Sequence, residues 1–567
     1  MSDSGHGSVG QREQNFTHLL PLRANAYSPK DLAQLAKQMK SEPDSVKDGA
    51  DPEENLWVPA GYTYFGQFID HDLTFDSTSS LDPNSAAEAT NLRTPRFDLD
   101  CLYGDGPDAQ PFMYDGAKLL YRNIRSTAAW AKQDLLRNPL DRAIIGDKRN
   151  DENSIVCQIQ LAFVKYHNAV VDNLEKKGLK GGELFRAARN EVRWTYQKLV
   201  VEDFLPRIVH AEVLENLALA DSHKKSEKAN IERRAKNYAL YSADKRGNLP
   251  LEFVGAAYRF GHSGVRTGYR LNAQTHSTAP PQGGRFSIFP ASNDKMEVAG
   301  KDSLLGFDAL PSNQEIDDWG RFFPDYLPGA WPSSGLGPKA PPMPVGTNIE
   351  PENPAVRLQH AYKIDTSIVD PLGALPRAQV AGEGATTEAE ALLAPAPLPT
   401  TEGTPPRPSL ALLNLLRANA YRIASGQSVA RALIEKGLPC KILDHKYLCV
   451  RTAVPGKDGV FKFEDINAAF LSDTPLWFYL LAEAQKPLFD KFGHAEFNED
   501  KLLNGDGAKT QLGWVGGRIV AEVFYGLLDS DAESYVNAAP DGWKPILGGD
   551  EKVIFRNFLK FADPANS

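Results

Sequence analysis

The chain has 567 residues, 42% of them hydrophobic, which is enough to bury a large core and enclose a pocket. Its 63 Lys and Arg are outnumbered by 73 Asp and Glu, so the net charge of −10 argues against a nucleic-acid partner. Four cysteines with no Cys-x-x-Cys pair disfavour a disulfide framework and structural zinc, and any redox chemistry then depends on a few of the eleven histidines.

The first part of the chain, residues 1–55, reads as a polar N-terminal extension. It contains one amphipathic stretch, SPKDLAQLAKQM, which predicts a short helix with Ser28 as its N-cap. The segment lacks the basic and apolar regions of a Sec-type signal peptide, and no apolar run approaches 18 residues. We therefore expect no membrane span and a cytoplasmic protein, with export by a non-classical route left open.

From Trp57 to about Asn272, helical periodicity alternates with loops rich in Gly, Pro and Asp. Ile155, Ile159 and Phe163 lie on one face of a helix that should end near residue 178. A second long helix is predicted over about 183–205, where the following proline should stop or kink it. Strand patterns are short and rare, so the sequence predicts a mainly α fold.

Residues of about 329–408 include two stretches of biased composition, one rich in Pro and Gly and the other in Ala, Pro, Thr and Glu. Such segments bury too little apolar surface to offset their ordering entropy, so a long surface loop is predicted. Helical patterns resume after it. We therefore expect one large domain over residues 56–567, interrupted by this loop.

The segment GYTYFGQFIDHDLTFD holds the densest group of chemically active residues. Gln67 and His71 share one helical face, and Asp70 and Asp72 flank the histidine. A solvated helix face explains this equally well. A metal-dependent phosphohydrolase is another reading, because His-Asp doublets bind divalent metals, but it needs further histidines such as His167 and His210 nearby.

Three further motifs carry weaker signals. In RTPRFDLDCLYG, Thr94, Asp98 and Asp100 offer hard oxygen ligands suited to calcium, although an Asp-rich turn is the commoner explanation. Arg149 and Glu152 in GDKRNDEN have the spacing of an ordinary surface pair. The last motif, LEFVGAAYRFGH, predicts a histidine on a helix of small and apolar residues, which suits either a core histidine or a haem iron ligand.

Taken in order, these motifs resemble the animal-type haem peroxidases of the peroxidase–cyclooxygenase superfamily, and its bacterial members in particular. GQFIDHDLTFD, RFDLDCLYG, GDKRNDEN, YRFGH, LNLLRANA and GGRIVAEVFYGLL follow the family order and cover roughly residues 57–540. No single motif is decisive, but their ordered occurrence is specific. The resemblance implies the helical peroxidase fold, a haem b cofactor and reduction of hydrogen peroxide.

The resemblance also implies a role for each distal residue. His71 matches the distal histidine, which takes a proton from hydrogen peroxide and returns it to the leaving oxygen. Arg149 matches the distal arginine, a fixed cation that stabilises developing charge. Gln67 matches the distal amide that orients water or a halide.

On the proximal side, His262 matches the iron ligand, and Asn414 matches the asparagine whose amide oxygen accepts the Nδ1–H of that ligand. Arg259 and Arg417 match arginines expected near the haem propionates.

The resemblance further implies two kinds of attachment. Asp70 and Glu152 match the carboxylates that members of the family esterify to haem, so a covalent link is a reasonable hypothesis. A calcium loop is also implied, in which Asp100 departs from the usual serine. Its matching residues are Asp72, Thr94, Arg96 (through its carbonyl), Asp98 and Asp100.

The superfamily also includes cyclooxygenases and fatty-acid dioxygenases, which use a radical tyrosine three residues before the proximal histidine. Arg259 holds that position here, and Tyr258 is expected to point elsewhere. The sequence therefore favours a peroxidase that oxidises a halide, a pseudohalide or a small aromatic donor. A fatty-acid oxygenase and a non-catalytic haem-binding protein remain alternatives, and the oligomeric state is left open.

Overall fold

The structure is a computed structural model that describes most of the chain. The described residues are 14–41, 53–75, 90–123, 131–217, 237–242, 247–272, 285–289, 303–325, 328, 358–373, 375, 409–457, 459–498, 510–547 and 553–563. Helices dominate these ranges and the strands are short, so the predicted mainly α fold is confirmed. Within the described ranges, every helix is too short or too polar to cross a bilayer.

The helices are numbered here in chain order. They are α1 Pro29–Met39, α2 Gly61–Leu73, α3 Asp100–Tyr103, α4 Ser154–Lys176, α5 Gly181–Lys198, α6 Leu205–Ile208, α7 Ala211–Asn216, α8 Leu251–Val254, α9 Leu410–Ala420, α10 Gly426–Glu435, α11 Leu476–Phe492, α12 Trp514–Ser530, α13 Tyr535–Ala538 and α14 Phe555–Ala562. Short 3₁₀ turns lie between them, and two of these, Lys148–Asp151 and Ala257–His262, border the site described below.

Within the described residues, the strands form small antiparallel sheets. They are β1 Gln14–Asn15, β2 Glu54–Pro59, β3 Thr90–Asn91, β4 Tyr114–Asp115, β5 Lys118–Leu119, β6 Tyr121–Asn123, β7 Gln133–Leu135, β8 Gly268–Tyr269, β9 Phe286–Ser287, β10 His360–Tyr362, β11 Cys449–Ala453, β12 Val460–Asp465 and β13 Phe497–Asn498. The largest sheet has three strands in the order β11-β12-β13, and the remaining strands pair in twos.

The central helix α2 is buried on almost every side. Phe68 stacks on Phe163 of α4 with ring centroids 4.6 Å apart, and Phe65 meets Phe555 of α14 at the same distance. Helix α4 begins where Asn153 caps it, since its side-chain oxygen accepts from two backbone N–H groups of the first turn. These aromatic contacts fix α2 and α4 side by side.

One helix boundary differs from the sequence prediction. The second long helix does not run unbroken to Pro206, because α5 ends at Lys198 and a π-helical turn, Leu199–Phe204, precedes α6. Pro206 then lies in the first turn of α6, where a missing N–H costs little.

The segment predicted as a long loop is also not uniform. Residues 358–375 lie between the two biased stretches, and there β10 pairs with β2 in a largely buried position. The prediction of a loop is wrong for the described residues of this segment, because side chains such as Leu358, Ile364 and Ile368 are buried in the protein. The flanking stretches lie outside the described residues. At the other end of the chain, α1 buries Leu32, Leu35 and Met39 in the same core cluster, so this part of the polar extension packs against the rest.

Candidate active site

A cavity of about 780 Å³ lies between α2, the Lys148–Asp151 turn, the Ala257–His262 turn and α9. Its volume falls in the range of cavities that enclose a small molecule or cofactor. Most of the residues singled out from the sequence line it: Gln67, Asp70, His71, Arg149, Glu152, Arg259, His262 and Arg417. Segments more than 300 residues apart in sequence therefore contribute to one site.

His71 lies near the end of α2 and is only 4% exposed. Its Nδ1 is 2.7 Å from the amide oxygen of Asn150, and its Nε2 is 3.9 Å from a carboxylate oxygen of Glu152. Burial, followed by the charge of Arg149, lowers the pKa of His71 to about 4. The imidazole is therefore neutral near pH 7 and able to accept a proton.

Gln67 lies one turn before His71 on the same face of α2, as its spacing predicts. Its amide nitrogen donates to Glu152, and its amide oxygen accepts from Asn153 at 3.1 Å. Both ends of the amide are therefore held by Glu152 and Asn153, the two residues that precede α4. This contact fixes the side chain at the cavity wall.

Arg149 borders the cavity and is held by Asp147. Its Nε and one amino group donate to the two carboxylate oxygens at 3.1 and 2.8 Å, and the same amino group donates to the carbonyls of His71 and Thr74. Burial alone would raise the pKa of Asp147, but Arg149 reverses this and holds it well below its usual value. The guanidinium is thereby fixed beside the end of α2.

Asp70 precedes His71 and also faces the cavity. Burial would raise its pKa, but the charges of Arg259 and Arg149 hold it below the usual range. Asp70 is therefore ionised at neutral pH, between one arginine from each side of the cavity.

On the opposite wall, His262 ends the Ala257–His262 turn. This segment is a 3₁₀ turn and not the helix that its small and apolar residues predicted. The Nδ1 atom of His262 lies 2.7 Å from the side-chain amide of buried Asn414 in α9, so the predicted pair is in contact. The atom facing Nδ1 is the amide nitrogen and not the predicted oxygen, and a half-turn of the amide exchanges the two.

Arg259 and Arg417 also reach the cavity, from the same turn and from α9. The Nε of Arg259 donates to the carbonyl of Val254 at 2.9 Å, and Trp477 donates its indole N–H to the carbonyl of Arg259. These bonds fix the backbone of the turn that carries His262.

Tyr258 also borders the cavity, contrary to the prediction that it points elsewhere. Because the segment is a 3₁₀ turn, the rotation per residue expected of an α-helix does not apply. The Tyr258 hydroxyl donates to the carbonyl of Gly66 in α2 at 3.2 Å, and its ring stacks on Phe253.

Next to α2, the carboxylates of Asp72, Asp98 and Asp100 come together with oxygens within 4.8 Å of one another. The hydroxyl of Thr94 donates to Asp98 at 2.7 Å, and Arg93 lies 3.1 Å from Asp100. Burial and the two neighbouring carboxylates raise the pKa of Asp72 well above its usual value. Four of the five predicted calcium residues, Asp72, Thr94, Asp98 and Asp100, therefore lie together.

The remaining member of the predicted calcium loop is Arg96. Its guanidinium lies 3.7 Å from Asp531 and is exposed. The resemblance assigns the calcium contact to its backbone carbonyl, and that role stays a prediction.

The histidines needed for a metal phosphohydrolase lie elsewhere. His167 is a satisfied core residue, with Nδ1 3.0 Å from the hydroxyl of Tyr103 and Nε2 2.8 Å from the carbonyl of Ala117. His210 stands at the start of α7. In the part of the chain that the structure describes, the three aspartates form the only metal-ligand cluster, and it contains no histidine.

Sequence reasoning missed three residues that hold the site together. Asp147 binds Arg149, and Asn150 and Gln160 form a hydrogen-bonded chain behind His71. Gln160 lies between Ile159 and Leu161 on α4, and a polar residue between two apolar ones is a signal that could have identified it; the structure shows it fully buried. Asp147 and Asn150 lie in a polar loop motif and give no comparable signal.

Comparison with known proteins yields one family and several similar structures. Residues 115–305 match the family described as Animal haem peroxidase. Peroxidase A from Dictyostelium discoideum has a TM-score of 0.50 and 13% identity, over 94% of this chain and 91% of that one.

Two fatty acid alpha-dioxygenases are also similar. The Oryza sativa enzyme has a TM-score of 0.45 and 13% identity, over 96% of this chain and 79% of that one. The Arabidopsis thaliana enzyme has a TM-score of 0.46 and 14% identity, over 95% and 73%. No curated protein matches the sequence.

Proposed function

We propose that the chain is a haem-dependent peroxidase, because residues 115–305 match the Animal haem peroxidase family, and the members of that superfamily are oxidoreductases. It would reduce hydrogen peroxide and oxidise a halide, a pseudohalide or a small aromatic donor. One observation carries the proposal: His71 and His262, 191 positions apart in sequence, line the same cavity. The similarity to bacterial members and the cytoplasmic location stay predictions from the sequence.

The residues present fit a haem. The cavity is large enough for a cofactor, and much of its wall is apolar, including Ile208, Val254 and Leu305. His262 would hold the iron, with Asn414 behind it to fix the orientation of the ring. Arg259 and Arg417 offer planar cationic donors to the propionates. When bound, haem would supply the redox centre at which the O–O bond of the peroxide is broken.

His71 would move the proton. Because its pKa is lowered to about 4, the imidazole is neutral at physiological pH and can accept the proton of hydrogen peroxide at Nε2. It would then return the proton to the leaving oxygen, which departs as water. Positioned acid–base groups of this kind contribute about 10²–10⁴ in rate.

Arg149 and Gln67 would complete the distal wall. Asp147 holds the guanidinium in place, so its charge is already oriented when negative charge develops on the peroxide oxygen. The amide of Gln67 is held at both ends and would orient water or a halide. A protein that only binds haem has no use for these groups beside His71.

Two finer features are part of the proposal. Asp70 and Glu152 both border the cavity, where each could form an ester with the haem edge. Asp72, Thr94, Asp98, Asp100 and the carbonyl of Arg96 would bind Ca²⁺. Hard oxygen ligands suit this ion, and a divalent cation would favour the ionised form of Asp72, whose pKa is raised by burial and by the two neighbouring carboxylates.

The experiment is a haem titration of the purified protein followed by peroxide turnover. We expect a Soret band at one haem per chain in the wild type, and its loss or a marked shift in His262→Ala. His445→Ala, which removes an exposed histidine, is the matched control and should behave as the wild type. A wild type that binds no haem, or unchanged turnover in His262→Ala, would refute the proposal.

A fatty-acid oxygenase is the second candidate because Tyr258 borders the cavity. A radical tyrosine must reach the substrate, and for Tyr258 this would require its hydroxyl to leave the carbonyl of Gly66. Oxygen uptake with linoleate, lost in Tyr258→Phe, would support this activity. Peroxide turnover with small donors and no oxygen uptake would exclude it.

A further inference from the structure

We propose that Asn150 and Gln160 are positioning residues for His71. They fix its neutral imidazole in the tautomer that carries the proton on Nδ1, so that the lone pair of Nε2 faces the cavity. The inference deepens the proposed function and rests on it, because Nε2 is the atom that would take the proton from the peroxide. Neither residue touches the cavity. They act through one chain of hydrogen bonds, defined here as the amide relay: Cys101 carbonyl, Gln160, Asn150 and His71.

The direction of the relay is set at its far end by a backbone carbonyl. The Cys101 carbonyl can only accept, so the atom of Gln160 that faces it, at 3.5 Å, is the amide nitrogen. The amide oxygen of Gln160 therefore faces Asn150. Because that oxygen also can only accept, the nitrogen of Asn150 donates to it at 2.9 Å.

The same logic carries the orientation to His71. With its nitrogen committed to Gln160, Asn150 presents its amide oxygen to His71 Nδ1 at 2.7 Å. An oxygen that can only accept requires a proton on Nδ1. A neutral imidazole has one N–H, so Nε2 carries the lone pair.

A competing influence acts on the other side of the ring. A carboxylate oxygen of Glu152 lies 3.9 Å from Nε2 and would favour a proton there. That distance is longer than a hydrogen bond, and the same oxygen already accepts a hydrogen bond from the amide of Gln67. In the opposite tautomer, two lone pairs would face each other across the 2.7 Å between Nδ1 and Asn150. The shorter contact decides the tautomer.

Burial makes the relay effective. Asn150 and Gln160 are fully buried, and His71 is 4% exposed, so bulk water does not compete for these bonds. Gln160 lies on α4 and Asn150 in the Lys148–Asp151 turn that also carries Arg149. The turn thus supplies the distal cation and the tautomer-setting amide from adjacent residues.

The direct test is the tautomer of His71 by nitrogen NMR. Protein with ¹⁵N-labelled histidine is loaded with zinc protoporphyrin, which is diamagnetic, and the His71 signals are assigned from their absence in His71→Gln. We expect a protonated Nδ1 and an unprotonated Nε2 in the wild type. Asn150→Leu should shift the population toward Nε2–H by roughly tenfold, since it removes a buried hydrogen bond.

Two further variants separate the relay from a merely structural role. Asn150→Asp keeps an acceptor at Nδ1 and should keep the wild-type tautomer even if Asn150→Leu folds poorly. Gln160 does not contact His71, but Gln160→Leu frees the amide of Asn150 to turn. We therefore expect both tautomers of His71 to be populated in this variant. Gln160→Glu retains the acceptor for Asn150 and should restore the wild-type signal.

A second readout is the rate of the haem-loaded protein with hydrogen peroxide. It should fall at least about tenfold in Asn150→Leu and Gln160→Leu and recover in Asn150→Asp. Two results would overturn the relay, whatever the rate with peroxide. One is a wild-type His71 that carries its proton on Nε2, and the other is an unchanged tautomer in both leucine variants. A relay that behaves as expected in a protein that does not react with peroxide overturns the proposed function instead.

Discussion

His167 gives the clearest quantitative prediction about stability. It lies on α4 and is fully buried. Its two ring nitrogens are hydrogen-bonded to the hydroxyl of Tyr103 and the carbonyl of Ala117. Burial lowers its pKa from the ordinary value of 6.5 to about 4. Replacing it by Gln removes this titrating group while leaving a polar side chain in place.

The direction in which stability changes with pH follows from proton binding by the folded and unfolded states. Between pH 6.5 and 4, the unfolded chain protonates this histidine and the folded protein does not, so stability falls as the pH falls. Moving from pH 7 to pH 4.5 should cost the wild type about 2.5 kcal/mol through His167 alone. Glu483, whose pKa burial raises to about 7, acts in the opposite direction, but it does so equally in both proteins.

The assay is urea unfolding of the wild type and His167→Gln at pH 7 and pH 4.5. The wild type should lose about 2.5 kcal/mol more than the variant between the two pH values. Because the comparison is a difference of differences, any constant cost of the substitution cancels. An equal loss in the two proteins would show that His167 is protonated in the folded state and would refute the reasoning.

Three further predictions concern packing, the cation and the cofactor. A Cβ at Gly426 would overlap the ring of Tyr479, so Gly426→Ala should cost about 1–3 kcal/mol in urea unfolding, and an unchanged midpoint would contradict this packing. Chelation should lower the thermal midpoint of the wild type and leave Asp72→Asn unaffected, whereas equal shifts would count against the calcium site. After peroxide treatment, acidified acetone should fail to extract haem from the wild type and should extract it from the double variant Asp70→Asn, Glu152→Gln; complete extraction from the wild type would exclude the esters.

The sequence predicts the distal face of the site well because helical spacing is a local property. Gln67 and His71 are four residues apart in a segment that is a helix, so their shared face follows directly from the geometry of that helix. The apolar face of α4 is equally regular, and Asn153 caps it as a good N-cap residue should. Local chemistry is sufficient for these elements.

Contacts that depend on tertiary structure are harder to predict. The small residues before His262 suit a helix, yet the segment is a 3₁₀ turn, and Tyr258 consequently reaches the cavity. The strand β10 lies between two stretches of biased composition, so averaging over residues 329–408 hid the buried apolar residues around it, such as Leu358, Ile364 and Ile368. The roles of Asn150 and Gln160 depend on a partner 10 or more residues away, which periodicity does not encode.

The central claim is that His71 acts as the proton acceptor for hydrogen peroxide in a haem site closed on its other side by His262. Stopped-flow mixing of the haem-loaded protein with hydrogen peroxide tests it most directly, with the wild type compared with His71→Leu. The account predicts that the second-order rate constant falls by about 10²–10⁴ in the variant, with the same haem content. An undiminished rate constant in His71→Leu would contradict it.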